Sequence, residues 1–318
     1  MTLPAGTRLA IFCALAATFT FSINDTTIKF LSGDYALHQI VLIRACFALI
    51  ITLVVFVPLD GGFSSLKTKR PLMHLARSAC VVFANMAFFM SLASMKIAEV
   101  TAILYIAPLL ITALAVVFLK ERVGPRRWIA ISIGLLGVLI IVRPGSDSFQ
   151  AAALLPLIAA FAYATLHILT RKIGAADKAV AMAFYIQLTF IIVCSLTGLL
   201  FGDGRFAGTG NPSIDFLMRS WVWPPSTDVL IIAIAGLASA AGGYLISQAY
   251  RTAEASVIAP YEYAGLPLSV FWGLTIFSEF PDTIAWLGIA LIVAAGLYAY
   301  SREKKVETAT PKPVQRVP

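Results

Sequence analysis

The stretch Ile97-Ala98-Glu99-Val100-Thr101-Ala102-Ile103-Leu104-Tyr105-Ile106-Ala107-Pro108-Leu109-Leu110-Ile111-Thr112-Ala113-Leu114-Ala115-Val116-Val117-Phe118-Leu119 decides how this chain folds. It runs for 23 residues with Glu99 as its sole charged side chain. A helix of about 20 apolar residues, rising 1.5 Å each, crosses the ~30 Å hydrocarbon core of a bilayer. Nine further windows of the same kind lie at about 9–31, 36–58, 72–94, 127–143, 150–170, 180–201, 229–250, 256–278 and 284–300. Lipid offers backbone amides no partners, so segments this long and apolar must be helices. The alternating ~10-residue strands of a membrane barrel are missing from the pattern.

Of the 318 residues, 59% are hydrophobic and 13% charged, with a mean hydropathy of +0.88. Charged residues make up about a quarter of a soluble domain, so little chain is left for one here. Arg8 ahead of an apolar run containing Ala14-Leu15-Ala16 has the outline of a secretory signal. That run continues to Phe30, longer than a signal needs, and is expected to be retained as the first span. Cys13, Cys46, Cys80 and Cys194 all fall inside apolar windows without a C-x-x-C pairing, and read as small buried hydrophobes.

The net charge of +8 raises the question of a nucleic-acid partner. With the N-terminus placed in the cytoplasm, 17 Lys and Arg fall on the inner side and 5 on the outer side, leaving Arg44 and Arg77 within spans. This asymmetry follows the positive-inside rule and predicts both termini in the cytoplasm. Basicity here sets topology, and no nucleic-acid footprint is needed to explain it.

Five windows precede the break at Arg143-Pro144-Gly145 and five follow it. Laid over each other at an offset of 158, the halves pair Tyr105 with Tyr263, Glu121 with Glu279 and Trp128 with Trp286. The expected fold is therefore an all-α integral membrane protein of ten transmembrane helices, built as two five-helix repeats over 1–145 and 146–301. An odd number of spans per repeat inverts one copy against the other, which places Glu121 inside and Glu279 outside. In such transporters the substrate site lies near the midplane between the copies. The stretch 202–228, rich in Gly and Pro, reads as an extracytoplasmic loop with Trp221 and Trp223 as interfacial anchors. Residues 302–318 read as a disordered cytoplasmic tail.

At Ala98-Glu99-Val100-Thr101-Ala102, Ala107-Pro108-Leu109, Leu119-Lys120-Glu121-Arg122-Val123-Gly124, Trp128 and Gly134-Leu135-Leu136-Gly137-Val138, the sequence resembles the EamA-type transporters of the drug/metabolite transporter superfamily. The second half repeats this text at Ala259-Pro260, Ser278-Glu279, Trp286 and Gly288, and Asn24, Lys29 and Arg44 sit where that family tends to have them. The stretch Ile23-Asn24-Asp25-Thr26-Thr27-Ile28-Lys29 looks most like the alphaproteobacterial riboflavin importers. The resemblance implies multi-pass insertion in a bacterial inner membrane.

Ionisable side chains at span depth cost ~2.5–3.5 kcal/mol each on insertion scales, so each should face a cavity or a partner. Asp25 and Arg44 lie at depths that permit a salt bridge between the first two spans, either as a packing pair or as a substrate-contacting gate. Lys29, four residues after Asp25, shares its face and competes for its carboxylate unless it snorkels to the interface. Glu262, flanked by Tyr261 and Tyr263 after Pro260, is placed to carry a coupling proton or bind a substrate donor, or else to bond a neighbouring helix. Tyr105, Tyr261, Tyr263 and Trp272 would suit a flat aromatic solute. Asn85, Gln187 and Gln248 read as interhelical hydrogen-bonding residues, and His74 with Arg77 as a headgroup anchor. Glu99, Glu121, Glu254 and Glu279 read as helix-end residues. No histidine has a second ligand at i+3 or i+4, and neither a metal nor a cofactor is expected.

The motifs for a phosphate-cradling loop, G-x-x-x-x-G-K-[ST], and for hydrolases, H-E-x-x-H and G-x-S-x-G, do not occur. The expected function is secondary transport of a small metabolite by alternating access, with riboflavin uptake as the specific reading and no enzyme activity. Export of amino acids or drug-like metabolites is the alternative, and a non-transporting receptor or scaffold is the alternative of another class. The partners are a small-molecule substrate and the lipid bilayer, and a homodimer is compatible with this reading.

Overall fold

A computed structural model describes residues 5–309 apart from 69, 121–123, 146–149, 174–177, 253–257 and 259–260. Among the described residues every regular element is a helix. In chain order they are α1 (Ala5–Leu31), α2 (Leu37–Ile51), α3 (Pro71–Leu92), α4 (Ile97–Leu104), α5 (Ala107–Leu119) and α6 (Pro125–Val142). Then follow α7 (Leu154–Ile173), α8 (Ala179–Phe201), α9 (Pro212–Met218), α10 (Ser226–Thr252), α11 (Gly265–Phe277) and α12 (Thr283–Ala309). Among the described residues six segments are long and apolar enough to cross a membrane, and four more apolar helices, over Trp128–Val142, Ala151–Leu166, Gly265–Phe277 and Thr283–Tyr298, are shorter. These ten segments fall where the ten sequence windows were read. Helix α12 continues to Ala309, into the stretch expected to be a tail, and residues 310–318 lie outside the described residues. Glu121 and Glu254 also lie outside them.

Prolines mark several starts and breaks. Pro71, Pro125 and Pro212 sit in the first turns of α3, α6 and α9, where a missing N–H costs nothing. Helix α2 loosens into a π-helical turn over Thr52–Phe56 just before Pro58, whose ring cannot be fitted into regular helix. In the window at 97–119 the helix breaks at Tyr105 and Ile106, two residues before Pro108, and restarts as α5.

Helices α5 and α11 have bounds 158 residues apart at both ends. Each is followed by a non-glycine residue in the left-handed region, Lys120 (φ 56°) and Ser278 (φ 55°), again 158 apart. Helices α1 and α10 pack along each other, as do α3 and α7, α6 and α12, and α2 and α8. The α6–α12 crossing is close: a Cβ added at Gly137 would meet the Gly288 carbonyl, and one added at Gly288 would meet that of Gly137.

The 202–225 segment folds back onto the α1–α2 turn. Arg219 donates to the carbonyls of Ser32 (2.9 Å) and Tyr35 (3.4 Å). The Gln39 side chain donates to the Val222 carbonyl at 2.6 Å and accepts from its N–H at 3.3 Å. The Tyr35 hydroxyl donates to Asp228 at 2.5 Å, and that bond to a carboxylate lifts the phenol to about 12. Trp221 is turned onto Gly198 and Gly202, whereas Trp223 is 93% exposed. Of the two expected anchors, Trp223 projects freely and Trp221, 42% exposed, packs one side against α8.

Candidate functional site

Polar side chains from α1 and α2 meet inside the helix bundle. Arg44, on α2, is 2% exposed, and its Nη1 donates to Asn24 Oδ1 on α1 at 2.9 Å. The Asn24 amide in turn donates to Asp25 Oδ1 at 2.9 Å. The direct Arg44–Asp25 bridge expected from sequence depth is therefore corrected: Asn24 occupies the space between them. The guanidinium carbon lies 5.5 Å from the Phe89 ring centroid on α3 and 4.9 Å from that of Phe190 on α8. Each such contact contributes up to about 2 kcal/mol when desolvated.

Lys29 also has a different partner from the one expected. Its Nζ lies 2.8 Å from Glu279 Oε1 and donates to the Met95 carbonyl at 2.6 Å, over the Phe277 ring. It neither shares Asp25 nor reaches solvent, because the left-handed Ser278 ends α11 and turns Glu279 back toward α1 and α4. Glu279 Oε2 then accepts the N–H of Ile97 in the first turn of α4, at 3.3 Å. Beside this pair Arg143 is bonded to Asp282, and Lys96 donates to the Phe280 carbonyl at 3.1 Å and lies 3.7 Å from Glu99. The bond from Arg143, with the Ala285 N–H, holds the Asp282 carboxyl below the usual carboxylate range. Together these groups close one end of the bundle, around a cleft of about 340 Å³.

The tyrosines meet at the helix breaks. Tyr263 and Tyr105 are edge to face with centroids 5.5 Å apart, and the Tyr263 hydroxyl donates to the Tyr105 carbonyl at 3.3 Å. Glu262 is half-buried and within electrostatic reach of Tyr105, Tyr163 and Tyr263. Trp272 donates from Nε1 to Ser22 Oγ on α1 at 3.0 Å. Tyr261 packs away from this group, against a small cluster containing Ala10, Cys13 and Ala14. Pro260 lies outside the described residues. The structure thus brings Asp25 and Arg44 together through Asn24, joins Tyr105 to Tyr263, and leaves Tyr261 apart.

Among the amides, Gln187 donates across helices to Ser239 Oγ at 3.3 Å. Asn85 instead bonds the Val81 carbonyl of its own helix. Gln248 donates to the Tyr244 hydroxyl on its own helix, and that hydroxyl reaches Asp60 at 3.2 Å. His74 and Arg77 are buried, which corrects their reading as a headgroup anchor, and the His74 ring lies 5.0 Å from that of Tyr185. Sequence reasoning missed Phe89, Phe190, Tyr163 and the Arg143–Asp282 pair. The signal available for the last was an arginine and an aspartate at the ends of the matching α6 and α12 segments.

Residues 8–143 match the EamA-like transporter family. An S-adenosylmethionine uptake transporter of Rickettsia prowazekii (strain Madrid E) is 26% identical over 291 residues, covering 92% of each chain. A riboflavin transporter of Vibrio cholerae serotype O1 (strain ATCC 39315 / El Tor Inaba N16961) is 28% identical over 294 residues, again 92% of each. The pseudopaline exporter CntI of Pseudomonas aeruginosa (strain UCBPP-PA14) is 26% identical over 301 residues, 94% of this chain and 98% of its own. These three relatives are named as transporters or exporters, and their named substrates differ.

Proposed function

We propose, from the premise that this chain is a membrane transporter of the EamA and drug/metabolite transporter family, that it moves a small metabolite by exposing a site between its two halves to each side in turn. The observation that carries this reading is the Lys29–Glu279 pair, which ties the first half to the second at one end of a bundle with buried polar groups at its middle. Two inverted five-helix repeats, 1–145 and 146–301, account for the matched bounds of α5 and α11 and the paired kinks at Lys120 and Ser278. The same mapping exchanges the α1–α10 pairing for the α7–α3 pairing. In such architectures the copies rock about a shared midplane site.

The charge asymmetry supports a bacterial inner-membrane topology with both termini in the cytoplasm. On that topology the Lys29–Glu279 end faces outward and is shut in this conformation. The substrate reading starts from Tyr105, Tyr263 and Trp272, whose rings favour a metabolite with a planar aromatic part. Riboflavin uptake is one such reading, supported by residues 23–29 and the Vibrio relative. S-adenosylmethionine uptake is the second, supported by the Rickettsia relative and by a charged group, Arg44, at the middle of the bundle.

Proteoliposomes of the purified protein, assayed for uptake of labelled riboflavin and of labelled S-adenosylmethionine, test the proposal. Saturable uptake of one of them, released by excess unlabelled compound, is expected. Flux of neither above empty liposomes, in either direction, contradicts it and favours a non-transporting role.

A further inference from the structure

The guanidinium of Arg44 is held in a geometry that packing alone does not use. Nη1 is engaged by Asn24, while Nε and Nη2 are buried with no hydrogen-bond partner among the described residues. These two nitrogens are neighbours on one edge of the planar group. Their N–H bonds point the same way, at the spacing that receives both oxygens of a carboxylate. Phe89 and Phe190 hold the plane, so the edge is fixed rather than swinging.

Complementary groups lie nearby. Gln187 Oε1 is also buried without a partner among the described residues, although its amide nitrogen donates to Ser239. Gln187, Phe190 and Cys194 recur at one-face spacing along α8, so this acceptor is about one helical turn from the ring that covers Arg44. Asp25, half-buried, accepts from the amide nitrogen of the same Asn24 whose oxygen Arg44 bonds. Two unused donors on a cation beside an unused acceptor and a carboxylate call for a ligand carrying both an acceptor pair and a donor. Buried polar groups left unmatched are destabilising, and the polar groups of a binding site are matched by its ligand.

We infer that Arg44 docks a carboxylate of the transported substrate through Nε and Nη2, with Gln187 and Asp25 receiving a nearby ammonium. The substrate class is then a metabolite with an α-amino-acid head and an aromatic remainder. The inference rests on the transport reading above and narrows it. Arg44, Asn24 and Phe89 come from the first half and Phe190 and Gln187 from the second, so parting the halves uncovers the binding edge. An uncharged flavin has ring carbonyls but no carboxylate to fill it.

The test uses the full chain in lipid nanodiscs and a matched pair of probes, S-adenosylmethionine and its decarboxylated analogue, with riboflavin as a third. The wild-type protein should bind S-adenosylmethionine at least about tenfold more tightly than the decarboxylated compound, a difference of about 1.4 kcal/mol. Arg44→Gln should remove that preference, bringing the affinities for the two compounds together. Arg44→Lys, which keeps the charge without the paired N–H edge, should retain only part of it. The probe comparison on wild-type protein stands even where a variant fails to insert. Equal binding of the pair, an equal loss of both in Arg44→Gln, or no binding of S-adenosylmethionine by the wild type overturns the assignment. Riboflavin flux in proteoliposomes alongside any of those results discards the Arg44 assignment and leaves transport standing. Absence of all flux discards the transport reading instead.

Discussion

The Tyr263 hydroxyl donates to the main-chain carbonyl of Tyr105, and the two rings meet edge to face 5.5 Å apart at the centroids. Each stands where its helix breaks, and 158 residues separate them, as they separate Lys120 from Ser278. Small residues make the contact possible. A Cβ at Gly265 would run into the Tyr105 hydroxyl, and one at Gly296 into the Tyr263 ring. The centre of the bundle is therefore shaped by a tyrosine and a glycine acting together, twice.

Tyr263→Phe loses one hydrogen bond and should lower stability by about 1 kcal/mol, whereas Gly296→Leu should displace the ring and cost several times more. Thermal unfolding of the detergent-solubilised variants measures both. A Gly296→Leu protein as stable as Tyr263→Phe contradicts the packing described.

Lys29 and Glu279 are the most buried of the ion pairs at the closed end, with side chains 7% and 27% exposed. A double-mutant cycle with Lys29→Met and Glu279→Gln should give a coupling of about 1–3 kcal/mol. Singles that simply add show that the pair contributes nothing to closure.

The Asp282 carboxyl titrates below its unfolded value because Arg143 and the Ala285 N–H bond its charged form. Its stabilisation is thus complete above the ordinary carboxylate range near pH 4 and is lost as pH falls through the lower folded value. The difference in unfolding temperature between wild type and Asp282→Asn should stay constant from pH 7 to about 5 and shrink below about 4. A difference that grows on acidification has the wrong sign for this pair.

The all-helical fold was legible because lipid imposes a single rule, long apolar runs; six of the described segments meet it in full and four shorter apolar helices fall at the remaining windows. The break at Tyr105 was not, since the run 97–119 is apolar throughout and only Pro108 betrays it. At the site, local spacing misled. Lys29 and Asp25 share a face at i,i+4, but a flexible cation near a helix end reaches along the bundle, and its partner Glu279 arrives through a backbone kink that sequence does not announce. Arg44 was recognised as costly at depth, yet Asn24, which takes its Nη1 bond, carries no charge to mark it.

Topology is checked by single cysteines on a background lacking Cys13, Cys46, Cys80 and Cys194. Arg205→Cys, in the exposed loop before α9, should react with a membrane-impermeant maleimide in intact cells, and Ser64→Cys, between α2 and α3, only after permeabilisation. The opposite pattern inverts the proposed orientation.

The central claim, that the halves part and close at the Lys29–Glu279 end during transport, is tested most directly by locking that end. Lys29→Cys and Glu279→Cys, introduced together on the cysteine-free background and bridged through two disulfides by a short bis-methanethiosulfonate, should abolish proteoliposome flux, and reduction of those disulfides should restore it. Undiminished flux through fully bridged protein would contradict alternating access at this end.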